Sequence, residues 1–386
     1  SLMATARAKF GPNDVFNIRG TIGGEFKDYN YLTNSQYGED FYDPDFYSIN
    51  NTFRDTRNFK SVYNNYRTVG FLAQTTIGYQ QLLYLTLTGR LDAASRLMPN
   101  NPYFAYPSTT LAFNFTELDA FKFDWLSEGK IRASWGITGK APFRTYFTRS
   151  NLEPQNSTGG GFAYGVNGGN PELKAEKSTD YEAGIELSFF KNRLRFDYTY
   201  FHRLISDQII LPRLSYGSGF ILRMMNGGEI ESNGMEIQTT VNPINTADFK
   251  WDIVFNYTQY KGIVKSLAEE LPELYESDTW LLSGVRTAVH PGYSIGALSG
   301  TTFKRNDRGD ILINPSTGLP IAGDGVYSVI GDRLPKFTFG TVNKFSYKDF
   351  YLTFLWDLRV GGDVLNGLDY RMYTYGTSVK TLNREE

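Results

Sequence analysis

The tightest constraint on this chain is a period-2 alternation of apolar and polar side chains, repeated in runs of about ten residues. In Lys130–Thr138, Ile131, Ala133, Trp135 and Ile137 share one face, while Arg132, Ser134, Gly136 and Thr138 share the other. Ala183, Ile185, Leu187 and Phe189 alternate in the same way with Glu182, Gly184, Glu186 and Ser188. Leu194, Phe196, Tyr198 and Tyr200 oppose Arg195, Asp197, Thr199 and Phe201. Trp251, Ile253, Phe255 and Tyr257 oppose Asp252, Val254, Asn256 and Thr258. Phe350, Leu352, Phe354, Trp356 and Leu358 oppose Tyr351, Thr353, Leu355, Asp357 and Arg359. With similar runs near 16–26, 67–79, 82–90, 109–115, 233–241 and 337–347, about thirteen strands are predicted. No segment carries a 3.6-residue period of helical length, so the fold class is all-β.

The connections alternate in length. Tyr79-Gln80-Gln81, Phe190-Lys191-Asn192-Arg193 and Tyr347-Lys348-Asp349 are tight and polar. Those near 29–60, 139–177, 204–230, 261–288, 303–335 and 361–386 are long and rich in Gly, Asn, Asp, Pro and aromatics. Loops of that length are uncommon in compact soluble domains and are usually functional. Short turns on one rim and long loops on the other is the asymmetry of an outer-membrane barrel; a soluble sandwich would turn every 8–12 residues or so. The polar faces carry Arg19, Glu25, Arg90, Arg132, Glu182, Glu186, Arg195, Asp197, Glu236, Asp252, Asp357 and Arg359. A sandwich would hold the apolar face inside and these charges in water. A barrel in lipid inverts this, with an apolar band outward and a wet lumen. Alternation alone fits both. The long loops and the aromatic strand ends favour the membrane, and Leu352, Phe354, Trp356, Ile253 and Phe255 are then expected to face lipid.

Composition removes other classes. Lys and Arg number 39 against 41 Asp and Glu, without the basic excess that a nucleic-acid binder needs. The absence of Cys excludes disulfide scaffolds, thiolate metal sites and thiol nucleophiles, and only His202 and His290 are available for imidazole chemistry. An aromatic content of 16% argues against disorder. No run of 18 apolar residues exists to form a membrane helix. The start, Ser1-Leu2-Met3-Ala4, lacks the charged and apolar regions of a signal peptide, and Asn383–Glu386 closes no strand. Both ends read as cuts through a longer polypeptide.

Several motifs carry a resemblance. Asn170-Pro171-Glu172-Leu173-Lys174-Ala175-Glu176, Tyr181–Glu186 and Phe189–Leu194 resemble a barrel stretch of TonB-dependent transporters. Asn226-Gly227-Gly228-Glu229-Ile230-Glu231-Ser232-Asn233-Gly234-Met235-Glu236 resembles the N-x-G-E-x-x-N-K-G-x-E stretch of the SusC/RagA branch from Bacteroidetes, with Ser232 where Asn is usual and Asn233 where Lys is usual. Pro107-Ser108, Lys130–Gly139 (followed by Lys140 where Asn is usual), Ile330-Gly331-Asp332, Pro335-Lys336, Phe345–Lys348 and Gly361-Gly362-Asp363 follow in the family's order. The likeness is carried by motifs over 100–386 and by strand pattern alone over 1–99.

What the resemblance implies is specific. Residues 1–386 would be part of one antiparallel transmembrane β-barrel domain of 22 strands, without the plug domain. The whole protein would import oligosaccharide or peptide across the Gram-negative outer membrane. A SusD-like lipoprotein would cap the long-loop side, and TonB–ExbB–ExbD would act through a plug outside this chain. The barrel would do no covalent chemistry, and no cofactor is implied. Two alternatives stay open: a non-transporting barrel serving as a surface scaffold or secretion-machine partner, and a soluble carbohydrate-binding β-protein.

The long loops are the expected seat of function. Loop 139–177 carries Tyr146, Phe147, Phe162, Tyr164 and Asn167, and loop 204–230 carries Tyr216 and Phe220. Aromatic rings stack on apolar sugar faces or peptide side chains, and amides fix orientation; the same rings could instead anchor at the membrane interface or pack loop on loop. Asn226–Gly228 and Asn233-Gly234 are expected to be architectural, as residues tolerant of positive φ. Glu182, Glu186, Arg195 and Asp197 are expected to form cross-strand ion pairs. Glu39, Asp40, Asp43 and Asp45 lack the ordered spacing of a calcium loop and read as solvated. Asn306–Asp310 reads as a hairpin turn.

Overall fold

A computed structural model describes residues 1–98, 102–154, 159–268, 271, 273–275, 284–323 and 328–382. Twelve strands form one antiparallel sheet, each lying beside its neighbours in sequence. They are β1 (Leu2–Phe10), β2 (Phe16–Tyr37), β3 (Asn58–Tyr79), β4 (Leu83–Ala94), β5 (Tyr103–Phe113), β6 (Leu126–Lys140), β7 (Glu176–Phe189), β8 (Leu194–Ser206), β9 (Gly228–Asn245), β10 (Phe249–Leu267), β11 (Phe337–Tyr347) and β12 (Phe350–Val360). The wall thus has twelve strands rather than about thirteen. Up-and-down order follows from the alternating connections: a tight turn can only return the chain to the adjacent position. At the turn joining β7 to β8, Phe190, Lys191 and Asn192 all adopt positive φ, and Lys348 does so between β11 and β12.

The two faces separate as the alternation requires. Along β10, β11 and β12, Phe255 lies opposite Thr341 and Thr341 opposite Trp356, so Ile253, Phe255, Phe354, Trp356 and Leu352 share one face. That face carries two aromatic rows. At the short-turn rim, Phe10 stacks on Phe16 at 5.1 Å, Trp125 on Phe189 at 5.9 Å and Trp251 on Phe345 at 5.3 Å. Higher up, Tyr181 meets His202 at 6.3 Å and Tyr257 meets Phe337 at 5.4 Å. From Phe189 to Tyr181 is about 26 Å of strand at roughly 3.3 Å per residue. An outer-membrane barrel's apolar band is about 25 Å tall and is flanked by such aromatic girdles.

The other face is wired by charge. Glu186 accepts from Lys130 and from Arg132, each at 2.7 Å, and Arg132 reaches on to Asp197 at 2.9 Å, so one guanidinium bridges β6, β7 and β8. A second cluster ties β2 to β4: Arg90 contacts Glu25 at 3.1 Å and Asp92 at 2.8 Å, and Lys27 contacts Glu25 at 3.0 Å. Each arginine crosses a glycine on the middle strand. Gly184 lies between Arg132 and Thr199, and a Cβ there would sit 2.7 Å from the Arg132 Nε. Gly70 lies between Glu25 and Asp92, and a Cβ there would sit 2.5 Å from an Arg90 terminal nitrogen. The expected pairs therefore form for Glu186 and Asp197, but with Arg132 and Lys130. Among the described residues Glu182 and Arg195 join no ion pair.

One expected loop is shorter than the sequence suggested, with strand at both of its ends. β2 and β3 are 22 residues each and stay in register from Phe16↔Tyr79 to Tyr37↔Asn58, so the connection is 38–57 rather than 29–60. At about 3.3 Å per residue this hairpin runs some 70 Å, far above the apolar band. Its upper half is held by polar pairs: Tyr63 donates to Asn30 at 2.6 Å, Ser61 to Asn34 at 2.8 Å and Arg67 to Asp28 at 3.1 Å. Without an apolar face, that half reads as loop in the sequence. One short helix, Gly367–Thr374, also escaped the periodicity; Asn366 caps it by accepting from the Asp369 N–H at 3.0 Å.

The best-buried apolar side chains lie at the long-loop rim. Leu173, Ala175, Ile210 and Met224 pack where 141–175 meets 207–227, and Val264, Ala288 and Ala297 pack under 284–300.

Three outcomes follow for the whole barrel. Phe255→Arg or Trp356→Arg should each cost about 2–4 kcal/mol in reversible folding into lipid, while Leu355→Arg, on the charged face, should cost little; equal costs would overturn the assignment of faces. Gly184→Val should lower stability by about 1–3 kcal/mol, since a branched side chain collides with Arg132 and with the Tyr198 carbonyl. The free edges of β1 and β12 would leave unsatisfied backbone groups in lipid. Residues 1–386 alone should therefore form no heat-modifiable barrel, and a discrete pore conductance from this segment by itself would refute that.

Candidate functional site

Two long loops interlock. Asn167–Gly168 pairs in parallel with Leu222–Arg223. Asn170 donates to the Met224 carbonyl at 3.0 Å. The Asn226 amide clasps Lys174, accepting from its N–H at 2.8 Å and donating to its carbonyl at 3.0 Å, and donates again to the Asp207 carbonyl at 2.8 Å. Asn226 is thus architectural, but not through backbone strain: neither it, Gly227, Gly228, Asn233 nor Gly234 has positive φ. The glycines are there for close approach. A Cβ on Gly227 would lie 2.7 Å from the Ala268 Cβ, and one on Gly234 would lie 2.6 Å from the Phe201 ring.

The seven candidate residues divide between places. Tyr164 meets Phe220 edge-on at 6.1 Å, Phe220 also covers Gly168, and Asn167 sits in the parallel pair beside them. Phe162 and Tyr164 belong to a small hairpin, Leu152–Pro154 with Phe162–Tyr164, and both rings are exposed. Tyr146, at φ 66°, is exposed, and its carbonyl accepts from Asn151 at 2.9 Å. Tyr216 stands in the turn Tyr216–Ser218; its side chain lies outside the described residues. Phe147 lies apart from these, in a cleft between loop 141–175 and the tall β2–β3 hairpin.

That cleft has a volume of about 360 Å³. Its floor is the charged face of the hairpin above the apolar band, where Tyr29 stacks on Tyr66 at 4.4 Å and Tyr31 lies 6.1 Å from Tyr66. A hydrogen bond to Tyr66 holds the Tyr31 phenol above its ordinary range. Arg96 lies 3.4 Å over the Tyr66 ring and donates to the Pro142 carbonyl at 3.1 Å. Arg144 stands 5.6 Å from both the Phe143 and the Phe147 ring. Thr145 donates to the Asn64 amide oxygen at 3.2 Å. The sequence reading missed Tyr31, Asn64, Tyr66, Arg96 and Arg144 as a group, because only strand register brings positions so far apart together. The alternation of Tyr29 with Tyr31 and of Asn64 with Tyr66 was the available signal.

The remaining candidates are structural. Asn306 accepts from the N–H groups of Arg308 and Asp310, with Gly309 at φ 88°, making the expected turn. Asp43 accepts from the Asp45 N–H in the acidic loop, and among the described residues no three His, Asp or Glu side chains converge as metal ligands. Within 268–336, Arg286 pairs with Glu273, and His290 Nε2 lies 3.1 Å from Ser299 Oγ and 3.5 Å from Glu273. Burial first, and the Arg286 charge second, push His290 below its usual range. A hydrolytic triad needs the acid on the opposite ring nitrogen from the nucleophile. Here both face Nε2, and Ser299 is fully buried, so the cluster packs the loop.

The fold and sequence both have known relatives. Residues 5–383 match the family model described as TonB dependent receptor-like, beta-barrel. TonB-dependent receptor P3 of Formosa agariphila is 26% identical over 332 residues, which are 79% of this chain and 33% of that protein. TonB-dependent receptor SusC of Bacteroides thetaiotaomicron is 27% identical over 299 residues, 74% of this chain and 28% of that protein. The RagAB peptide importer in its closed-closed state superposes with a TM-score of 0.76 at 19% identity, covering 93% of this chain and 41% of that one. The chain spans about a third of the length of the sequence relatives it matches. It belongs to the β-barrel family of TonB-dependent receptors, proteins of the outer membrane.

Proposed function

We propose that the whole protein imports oligosaccharides or peptides across the outer membrane, powered through TonB, with a SusD-like lipoprotein closing the long-loop side. The observation that carries this reading is the asymmetry of the wall. An apolar outer face between two aromatic rows suits lipid, a charged inner face suits water, and every long loop gathers on one rim. RagAB, whose fold this chain shares, is described as a peptide importer.

In this reading the work of these residues is binding and release. Aromatic and amide groups of the loop rim meet substrate and lid. The inner wall, neutralised by the clusters around Arg90 and Arg132, stays hydrated without holding a passing solute. A plug moved by the TonB machine would open the path. Nothing in this scheme requires a bond in the substrate to be made or broken.

Shortening 141–175 and 207–227 in the full-length protein should abolish uptake yet leave barrel assembly intact, because surface loops tolerate length changes at small entropic cost. A protonophore should abolish uptake by the intact protein. Uptake measured in whole cells, with heat-modifiable migration as the assembly control, tests both. Uptake that survives both deletions, or a partner bound at the short-turn rim, would refute the assignment. Insensitivity to every treatment would leave a non-transporting scaffold.

A further inference from the structure

The cleft between the β2–β3 hairpin and loop 141–175 has a charge and a set of donors that point to one class of ligand. We infer that it is a subsite for an acidic sugar unit, a uronate within an oligosaccharide, gripped by Arg144 and Arg96. This deepens the import reading above and rests on it.

Charge is the first argument. Two guanidinium groups line the cleft, and among the described residues no carboxylate does. The acids nearest along the hairpin are committed elsewhere. Glu25, on the same face, is shared by Lys27 and Arg90; Asp28, on the opposite face, holds Arg67 at 3.1 Å and Asn65 at 3.1 Å. Neither of these carboxylates is left over to pair with Arg96 or Arg144.

Pose is the second. Arg96 lies flat enough over Tyr66 to place its central carbon 3.4 Å from the ring centre, and Arg144 is held near two phenylalanine rings. Stacking uses the faces of a guanidinium and leaves its in-plane N–H groups, which match a carboxylate in two parallel hydrogen bonds at Arg144; Arg96, with its Nε buried and one terminal nitrogen donating to the Pro142 carbonyl, adds charge and its remaining terminal N–H groups. Holding the side chain against rings in advance lowers the entropy lost on binding.

The donor set decides between sugar and peptide. Backbone N–H and C=O groups of a ribbon lie in its plane, whereas this cleft opens on the ribbon's face. It offers the phenol of Tyr31, the amide NH2 of Asn64, the oxygen of the Thr145 hydroxyl, whose proton goes to Asn64, and aromatic surface. These are groups for hydroxyls and for the apolar face of a sugar ring; a peptide would ask for main-chain partners as well. A volume of 360 Å³ is at the small end of the range for small-molecule sites, roughly 300–1,000 Å³, so a single unit of a longer chain is held.

The test uses the full-length transporter in detergent, with calorimetric binding of three probes: tetragalacturonate, its neutral methyl ester, and tetraglutamate. Tetragalacturonate should bind, more weakly as salt rises, and at least about tenfold tighter than the ester or the peptide. Arg144→Gln should weaken tetragalacturonate by about tenfold, with Arg144→Lys recovering part of the loss. Because Arg144 is exposed, this substitution should leave heat-modifiable migration unchanged. Arg96→Gln should add to the loss. The inference is overturned if tetragalacturonate fails to bind, if the ester or tetraglutamate binds as tightly, or if Arg144→Gln has no effect. Those results would not touch the import reading, which stands or falls separately on the loop deletions and the protonophore.

Discussion

Every backbone N–H and C=O that enters hydrocarbon must find its partner on a neighbouring strand, because no water is there to substitute and each orphan costs several kcal/mol. The rest of this structure depends on that requirement. It makes the ladder from β1 to β12 continuous through the apolar band. It also frees the side chains from holding the wall together: strand pairing does so, and the two faces can specialise. The outer face is apolar and framed by aromatic rings; the inner face carries ions. Among the described residues, the most deeply buried large apolar side chains, Leu173, Met224 and Val264, lie where the chain leaves the apolar band.

The inner face shows how a barrel wall holds charge without stranding it. Arg132 and Arg90 each reach across an intervening strand, and the strand they cross carries glycine at that level. Each cluster brings acids and bases together in nearly equal number, and each is partly open to solvent. Pairs this exposed add little stability singly. Their service is to leave a hydrated surface with no strong local field. The glycines are therefore part of the electrostatics, since a side chain at Gly70 or Gly184 would push the bridging guanidinium aside.

Much of this was legible in the residue pattern, and the limits have physical causes. The wall strands and their faces could be read because lipid and water lie on opposite sides, which forces a strict alternation. Above the membrane both sides are water, the alternation lapses, and β2–β3 between Tyr29 and Lys60 looked like a loop although polar pairs such as Tyr63–Asn30 keep it in register. The Asn226 motif was correctly taken as architectural, but on the wrong ground: a glycine at positive φ and a glycine in a crowded spot look the same in sequence. Phe147 was singled out for being aromatic in a long loop. Its neighbours Tyr31, Tyr66 and Arg96 were not, because they come from strands and from a short connection whose meeting is decided by register and by how the loop folds back. The clasp of Asn226 on Lys174, 52 positions apart, was hidden for the same reason.

The contrast between wall and rim bears on how import could have a direction. A solute that crosses a pore must be captured at one end and not held along the way, since a strong site within the wall would become a trap. Capture needs charge or surface that is not already satisfied by the protein. Here the satisfied charges line the wall at Glu186, Arg132, Glu25 and Arg90, and Arg96 and Arg144, which among the described residues have no acid beside them, stand at the long-loop rim on aromatic supports. Coulomb attraction between exposed charges fades over about 8 Å at physiological ionic strength, so a ligand at the rim does not feel the inner clusters, nor they the ligand. In the proposed scheme this confines affinity to the mouth. The strand alternation that keeps the barrel in lipid also sets this contrast, because it aims the charges of both clusters inward below the rim.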